Sequence, residues 1–172
     1  APPYNPTNAY YVIEAESGMV LDQFNADRTL YPASLTKLMT LMMVFDALEA
    51  QRITLQSRIR FSSHAANMPP SRLGVKAGDS ISVDQAIRAL VTKSANDVAA
   101  AVAENLGGSE SRFAYMMTLK AREIGLTKTR FVNGSGLHNT GQLTSAHDMA
   151  LLGQYIWKRY PKYYGYFALK EF

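Results

Sequence analysis

Apolar residues recur at Leu35, Leu38, Met39, Met42, Phe45 and Leu48. The spacing is close to 3.6 residues and predicts a helix over residues 34–51. Both flanks of that helix are also fairly apolar, which predicts a central position and not a surface one. Ahead of it the pattern changes. Residues 9–14 (AYYVIE) and 19–24 (MVLDQF) are short and rich in aromatic and β-branched side chains, and Ser17-Gly18 separates them. They predict a hairpin. Residues 1–8 are proline-rich and read as an extended arm, and residues 25–33 read as a loop.

Beyond the long helix, residues 52–78 lack a clean period and contain Pro69-Pro70, so they read as irregular or short-helical. Ser82 followed by Gln85 is a capping-box signature and opens a helix to about Val91. Residues 92–95 (TKSA) interrupt it, and a second helix covers 96–106, closed by Gly107-Gly108. Ser109 caps a third helix reaching about Ile124, closed by Gly125. Residues 131–140 (FVNGSGLHNT) form a loop. Ser145 and Asp148 form another capping box, and their helix runs to about Arg159, before Pro161. Residues 163–172 are aromatic and read as strand-like or irregular. The result is a hairpin followed by a largely helical body, an α+β pattern. A hairpin alone is marginal, and no third or fourth strand stands out. Part of the domain is therefore expected beyond Phe172.

Composition narrows the function classes. The 172 residues suffice for one domain with a sizeable core, and 47% apolar with 19% charged residues is ordinary for a globular chain. The net charge of +4 is mild and scattered. Without zinc-finger spacing or a long basic block, no nucleic-acid partner is expected. There is no cysteine, which excludes disulfides, thiolate metal sites and a cysteine nucleophile. His64, His138 and His147 are too scattered to suggest a metal, and no cofactor is expected. The opening Ala1-Pro2-Pro3-Tyr4 has neither a basic nor an apolar leader region, so a signal peptide is absent or removed. The most apolar run, residues 38–48, carries Thr40 and Asp46 and is too short to cross a bilayer.

Two short motifs carry candidate chemistry. Ser34-Leu35-Thr36-Lys37 is an S-x-x-K at the start of the apolar helix. Positions i and i+3 share a helix face, about 5–6 Å apart. A lysine with a depressed pKa at that distance can take the proton of a serine nucleophile. The competing reading is a serine N-cap with a lysine whose stem lies along an apolar surface. Ser94-Ala95-Asn96 lies between two predicted helices. Its hydroxyl can relay a proton, and its amide can hold a carbonyl and accept a bond from Lys37. The alternative is that both residues simply cap the next helix. Together, in this order and 60 residues apart, they fit a known signature that continues with K-T-G.

Pro32-Ala33-Ser34-Leu35-Thr36-Lys37-Leu38-Met39-Thr40 and Ser94-Ala95-Asn96-Asp97 resemble the first two motifs of the low-molecular-mass penicillin-binding proteins of the D-alanyl-D-alanine carboxypeptidase type. Residues 133–137 (NGSGL), residues 141–150 (GQLTSAHDMA) and the hairpin are also similar to that family, so the likeness runs from about Tyr10 to Phe172. It implies the transpeptidase fold of penicillin-binding proteins and serine β-lactamases, here as the hairpin and helical region of a catalytic domain over residues 9–172. By the same resemblance Ser34 attacks the carbonyl between two terminal D-alanines, and Lys37 takes its proton. Ser94 passes that proton to the departing D-alanine, and Asn96 holds the substrate amide. Ser135, Gly136 and His138 are expected to line the cleft. The implied partners are cell-wall stem peptides ending in D-Ala-D-Ala and β-lactams that acylate Ser34. The implied location is outside the cytoplasmic membrane.

The sequence departs from the family in one respect: it has no K-T-G. Lys128-Thr129-Arg130 lacks the glycine. The third motif, a carboxylate clamp and the second oxyanion donor are thus expected from a further segment or a second chain. One oxyanion donor is worth about 2.7–4 kcal/mol of barrier. The aromatic tail (Trp157, Tyr160, Tyr163, Tyr164, Tyr166, Phe167, Phe172) is expected to be core for that segment, with a peptide-binding stripe as the alternative. Three other readings stay open: an endopeptidase, a serine β-lactamase, and a fragment that binds without turnover. No loop in residues 125–145 offers the deacylating glutamate of class A β-lactamases. Asp97 is expected to support its loop, Asp148 to cap a helix, and Lys93 to be solvated.

Overall fold

Helix α1 (Thr36–Glu49) buries residues on all sides. Met39, Met42 and Phe45 have no exposed surface, and Leu41, Val44 and Ala47 on the other faces are buried too. A helix this apolar all round must be enclosed by its neighbours. In the computed structural model, which describes residues 10–14, 16–24, 26–27, 36–137 and 139–169, four helices enclose it. These are α3 (Val83–Lys93), α4 (Asn96–Gly107), α5 (Glu110–Glu123) and α6 (Ala146–Arg159). The predicted arm, Ser34, Leu35, His138 and Phe172 lie outside the described residues.

The hairpin is present as β1 (Tyr10–Ile13) paired antiparallel with β2 (Val20–Phe24), Tyr10 opposite Phe24, with an irregularity between Val12 and Ile13. Its turn is closed by the Glu14 carboxylate, which accepts from the backbone N–H groups of Glu16 and Ser17. Strand β1 lies against α6.

A second small sheet corrects the expectation of no further strands. Strand β3 (Arg58–Arg60) pairs antiparallel with β4 (Ser80–Ser82), setting Ile59 opposite Ile81. Each strand has three residues and buries only one, so neither has a period to read. They pair with each other and do not extend the hairpin. Between them a single turn, α2 (Ser63–Ala66), packs on α4.

The caps decide the helix boundaries. Ser82 and Gln85 form the full reciprocal capping box. Ser109 caps α5 by accepting from Arg112 N. Ser145 accepts from Asp148 N, but the Asp148 carboxylate does not return to the cap. It accepts instead from Lys128 N at 2.8 Å and Thr129 Oγ1 at 2.7 Å, tying the α5–α6 connection to α6.

The aromatic tail is a 3₁₀ helix (Tyr164–Ala168), not a strand, and most of it packs within this chain. Tyr160 is fully buried and its hydroxyl donates to Asp46 Oδ1 at 3.2 Å. Tyr163 stacks on Phe45 with ring centroids 5.4 Å apart, and Phe167 meets the same ring edge-on at 6.2 Å. Tyr166 donates to Asp84 on α3. Trp157 and Tyr164 are left partly exposed.

Helix α4 is the second pillar. Residues 98–103 (VAAAVA) are all buried. Their small side chains let α1, α3 and α5 approach closely. The tightest point is Gly107, where an added Cβ would lie 2.6 Å from Phe113 Cβ and 2.8 Å from its backbone. Helix propensity alone gives Gly107→Ala a gain of about 1 kcal/mol. The contact with α5 outweighs it, because overpacking against backbone costs about 1–3 kcal/mol. Gly107→Ala is expected to lower the urea midpoint of unfolding; an increase would contradict the packing described.

Candidate active site

Lys37 sits in the first turn of α1 with only 5% of its surface exposed. Its ammonium donates to Asn96 Oδ1 at 2.8 Å and to the backbone carbonyl of Ser135 at 2.7 Å. Burial disfavours the charged form and lowers its pKa to about 8. Thr40, one turn further along the same face, donates through Oγ1 to the Gly134 carbonyl at 2.7 Å. Two positions of α1 one turn apart thus hold two adjacent carbonyls of one loop.

That loop is built to present its carbonyls. Asn133 Oδ1 accepts from Ser135 N, Ser135 Oγ and Gly136 N, forming a side-chain-closed turn. Gln142, almost fully buried, accepts from Val132 N and Asn133 N and donates to the Leu137 carbonyl. Gly136 takes φ +85°, a conformation that favours glycine. At Gly134 a side chain would reach within 3.0 Å of Thr40 Oγ1. The Ser135 hydroxyl is committed to Asn133 and to Leu137 N, and the residue is buried. What Ser135 gives the site is its carbonyl.

Asn96 opens α4. Its amide donates to the Pro69 carbonyl at 2.9 Å and to the Pro70 carbonyl at 3.1 Å while its oxygen faces Lys37. Neither Ser94 nor Asn96 caps α4: the N-cap is Ala95, with no side-chain bond. Ser94 instead terminates α3 at φ 49° and ψ 45°, in the left-handed region. Its half-buried hydroxyl has no hydrogen-bond partner among the described residues. Asp97 is fully buried and accepts from Leu73 N and Gly74 N, so it does support the neighbouring loop.

The structure therefore brings Lys37, Asn96 and the Ser135–Gly136 turn together. Ser34 and His138 are outside the described residues. Lys93 is exposed. His64 pairs with Glu110 at 2.6 Å, which raises its pKa, and His147 pairs with Asp27. Among the described residues no cluster of His, Asp or Glu is arranged to hold a metal ion. Thr40, Asn133 and Gln142 also support the site, and no motif in the sequence marks them for that role. The available signal was Thr40, a polar residue three positions after Lys37 inside the most apolar run.

A buried lysine with pKa near 8 is able to act as a proton acceptor close to neutrality. The left-handed backbone of Ser94, a residue with a Cβ, is a retained strain of about 1 kcal/mol. Ser94→Gly is expected to raise stability by about 1 kcal/mol in urea unfolding, since glycine adopts this conformation freely. A loss of stability would mean that the Ser94 hydroxyl is structurally bonded.

Comparison with known proteins agrees with this geometry. The profile of the D-alanyl-D-alanine carboxypeptidase family matches residues 2–172. The chain is 37% identical over 147 residues to D-alanyl-D-alanine carboxypeptidase DacF of Bacillus subtilis, covering 86% of this chain and 38% of that protein. It superposes on the crystal structure of the carboxypeptidase DacD from Francisella tularensis with a TM-score of 0.91 at 33% identity, over 97% of this chain and 40% of the other. Penicillin-binding protein D2 from Listeria monocytogenes, solved in an ampicillin-bound form, gives a TM-score of 0.81 at 28% identity over 94% of this chain and 66% of the other. The chain spans less than half the length of the curated relatives it matches. With the penicillin-binding fold, the paired motifs and these relatives in agreement, the chain belongs to the D-alanyl-D-alanine carboxypeptidase family of penicillin-binding proteins.

Proposed function

We propose that this chain carries the acylating machinery of a serine-type D-alanyl-D-alanine carboxypeptidase acting on peptidoglycan stem peptides. The observation that carries the reading is Lys37: buried, held by Asn96 and the Ser135 carbonyl, and with its pKa lowered to about 8. Such a lysine is suited to be the base for a serine three residues earlier in the sequence.

In the proposed sequence Ser34 Oγ attacks the carbonyl carbon of the penultimate D-alanine and gives its proton to Lys37 Nζ. The tetrahedral oxyanion collapses, the C–N bond to the last D-alanine breaks, and the departing amine takes a proton through Ser94. Water then attacks the Ser34 ester and releases the shortened peptide. Asn96, placed between the base and the 69–70 carbonyls, orients Lys37 and the substrate amide. Gly136 and His138 are taken as cleft-lining positions, and Ser135 as contributing its carbonyl to Lys37. A β-lactam follows the same first step: its ring amide opens to a Ser34 ester and its amine stays tethered. The ampicillin-bound form of the Listeria relative supports that partner for the present chain.

The reading takes residues 9–172 as part of a catalytic domain whose K-T-G strand is supplied outside this chain, as a continuing segment or a second chain. It takes the protein as exported to the outer side of the cytoplasmic membrane, where such peptides occur. Among the described residues no helix is long and apolar enough to cross a membrane.

Release of D-alanine from a peptide ending in D-Ala-D-Ala tests the reading on the full-length protein. The rate is expected to rise with pH through about 8, because the neutral form of Lys37 is the active one. Lys37→Arg and Ser34→Ala are each expected to cut it by about 10³-fold or more. Undiminished release by Ser34→Ala would overturn the proposal.

A further inference from the structure

Asp97 follows Asn96 in the second motif, and its carboxylate is turned into the protein interior. It is fully buried and sits in the first turn of α4. Oδ1 accepts from Leu73 N at 2.9 Å and from Val98 N at 2.9 Å, and Oδ2 accepts from Gly74 N at 2.9 Å. Two consecutive N–H groups of one loop thus converge on one carboxylate. Gly74, at φ +91°, gives the backbone the turn that lets them do so. Among the described residues no cation pairs with Asp97; its partners are all backbone N–H groups.

The same loop is held again, a few residues earlier, by Asn96. The Ser71 carbonyl accepts from Asn96 N at 2.8 Å, and the Pro69 and Pro70 carbonyls accept from Asn96 Nδ2. Those two carbonyls decide which way the amide points. An amide nitrogen donates and an amide oxygen only accepts. Turned the other way, Asn96 would set its oxygen against two carbonyl oxygens and its NH₂ against the Lys37 ammonium. The loop therefore fixes the amide so that Oδ1 meets Lys37, and Asp97 fixes the loop.

We infer that Asp97 is a positioning residue for Lys37, acting through the loop of residues 69–74 and the orientation of the Asn96 amide. It touches neither substrate nor reacting atoms, since it has no exposed surface. This assignment rests on the proposed role of Lys37 as the base. Among the described residues, the groups that face Lys37 Nζ are the neutral Asn96 amide from α4 and the Ser135 carbonyl from the loop before α6. Its low pKa comes from burial. Loosening the loop admits water to Lys37 and raises that pKa. Removing the Asp97 charge with nothing else changed would move it the other way or not at all, so the direction separates positioning from simple electrostatics.

Asp97→Asn keeps the size of the side chain but replaces one acceptor with a donor, so one of the two loop N–H groups loses its partner. The test is the titration of Lys37 in the full-length protein, followed by NMR of lysine labelled at Cε and identified by its loss in Lys37→Arg. The expected result is a midpoint rising from about 8 in the parent to about 9 or above in Asp97→Asn. At pH 7 this corresponds to about a tenfold slower acylation by a fluorescent penicillin. A Lys37 midpoint that stays at the parent value or falls overturns the inference. Should Asp97→Asn fail to fold, Asp97→Ser, smaller and also unable to bridge both N–H groups, is read in the same way. If the parent protein takes no penicillin at all, the carboxypeptidase reading fails, while the Lys37 titration still decides the role of Asp97.

Discussion

The burial of the Lys37 ammonium is the constraint around which the site is organised. A charged group withdrawn from water must find acceptors or surrender its proton, and either course costs free energy if the surroundings are not preorganised. Here the surroundings are two oxygens from two different parts of the chain: the Asn96 amide at the head of α4 and the Ser135 carbonyl in the loop before α6. Neither is positioned by its own local structure alone. Asn96 depends on the carbonyls of residues 69–70, and Ser135 depends on Asn133, Gln142 and the bond from Thr40.

The rest of the fold follows from the need to bring those parts to one turn of α1. Helix α4 has to run beside α1 with its first residue at the level of Lys37. An alanine-rich helix does this because nothing on its surface holds the neighbours away. The α5–α6 connection has to return to the same level, and Asp148 and the Thr129–Thr144 pair hold it there. The aromatic tail closes the opposite end of α1 around Phe45, more than two turns from Lys37. Tight packing at one end and polar clamping at the other leave α1 with one way to sit.

Much of this was legible in the sequence, where the signal was local. The hairpin announced itself by its aromatic and β-branched content and a glycine turn, α1 by its period, and α3 and α5 by Ser82 and Ser109 at their starts. The S-x-x-K and S-x-N motifs carried the pairing of Lys37 with Asn96. What stayed hidden depended on distant partners. Strands β3 and β4 bury one isoleucine each, too little for a pattern. Asp148 looked like half of a capping box, yet its carboxylate serves Lys128 and Thr129. The tyrosines of the tail looked like a strand or like core for something absent, because no local rule says that Phe45, more than a hundred residues earlier, is waiting for them. Thr40, Asn133 and Gln142 carried no motif, and their roles exist only once the loop and the helix have met.

The most direct test of the account is the mass of the full-length protein before and after exposure to a penicillin, followed by tryptic mapping of the adduct. If Lys37 serves Ser34 as its base, the protein gains one penicillin, the added mass lies on the peptide of residues 29–37, and Ser34→Ala abolishes it. An adduct on any other peptide, or one that persists in Ser34→Ala, would contradict the assignment of this site.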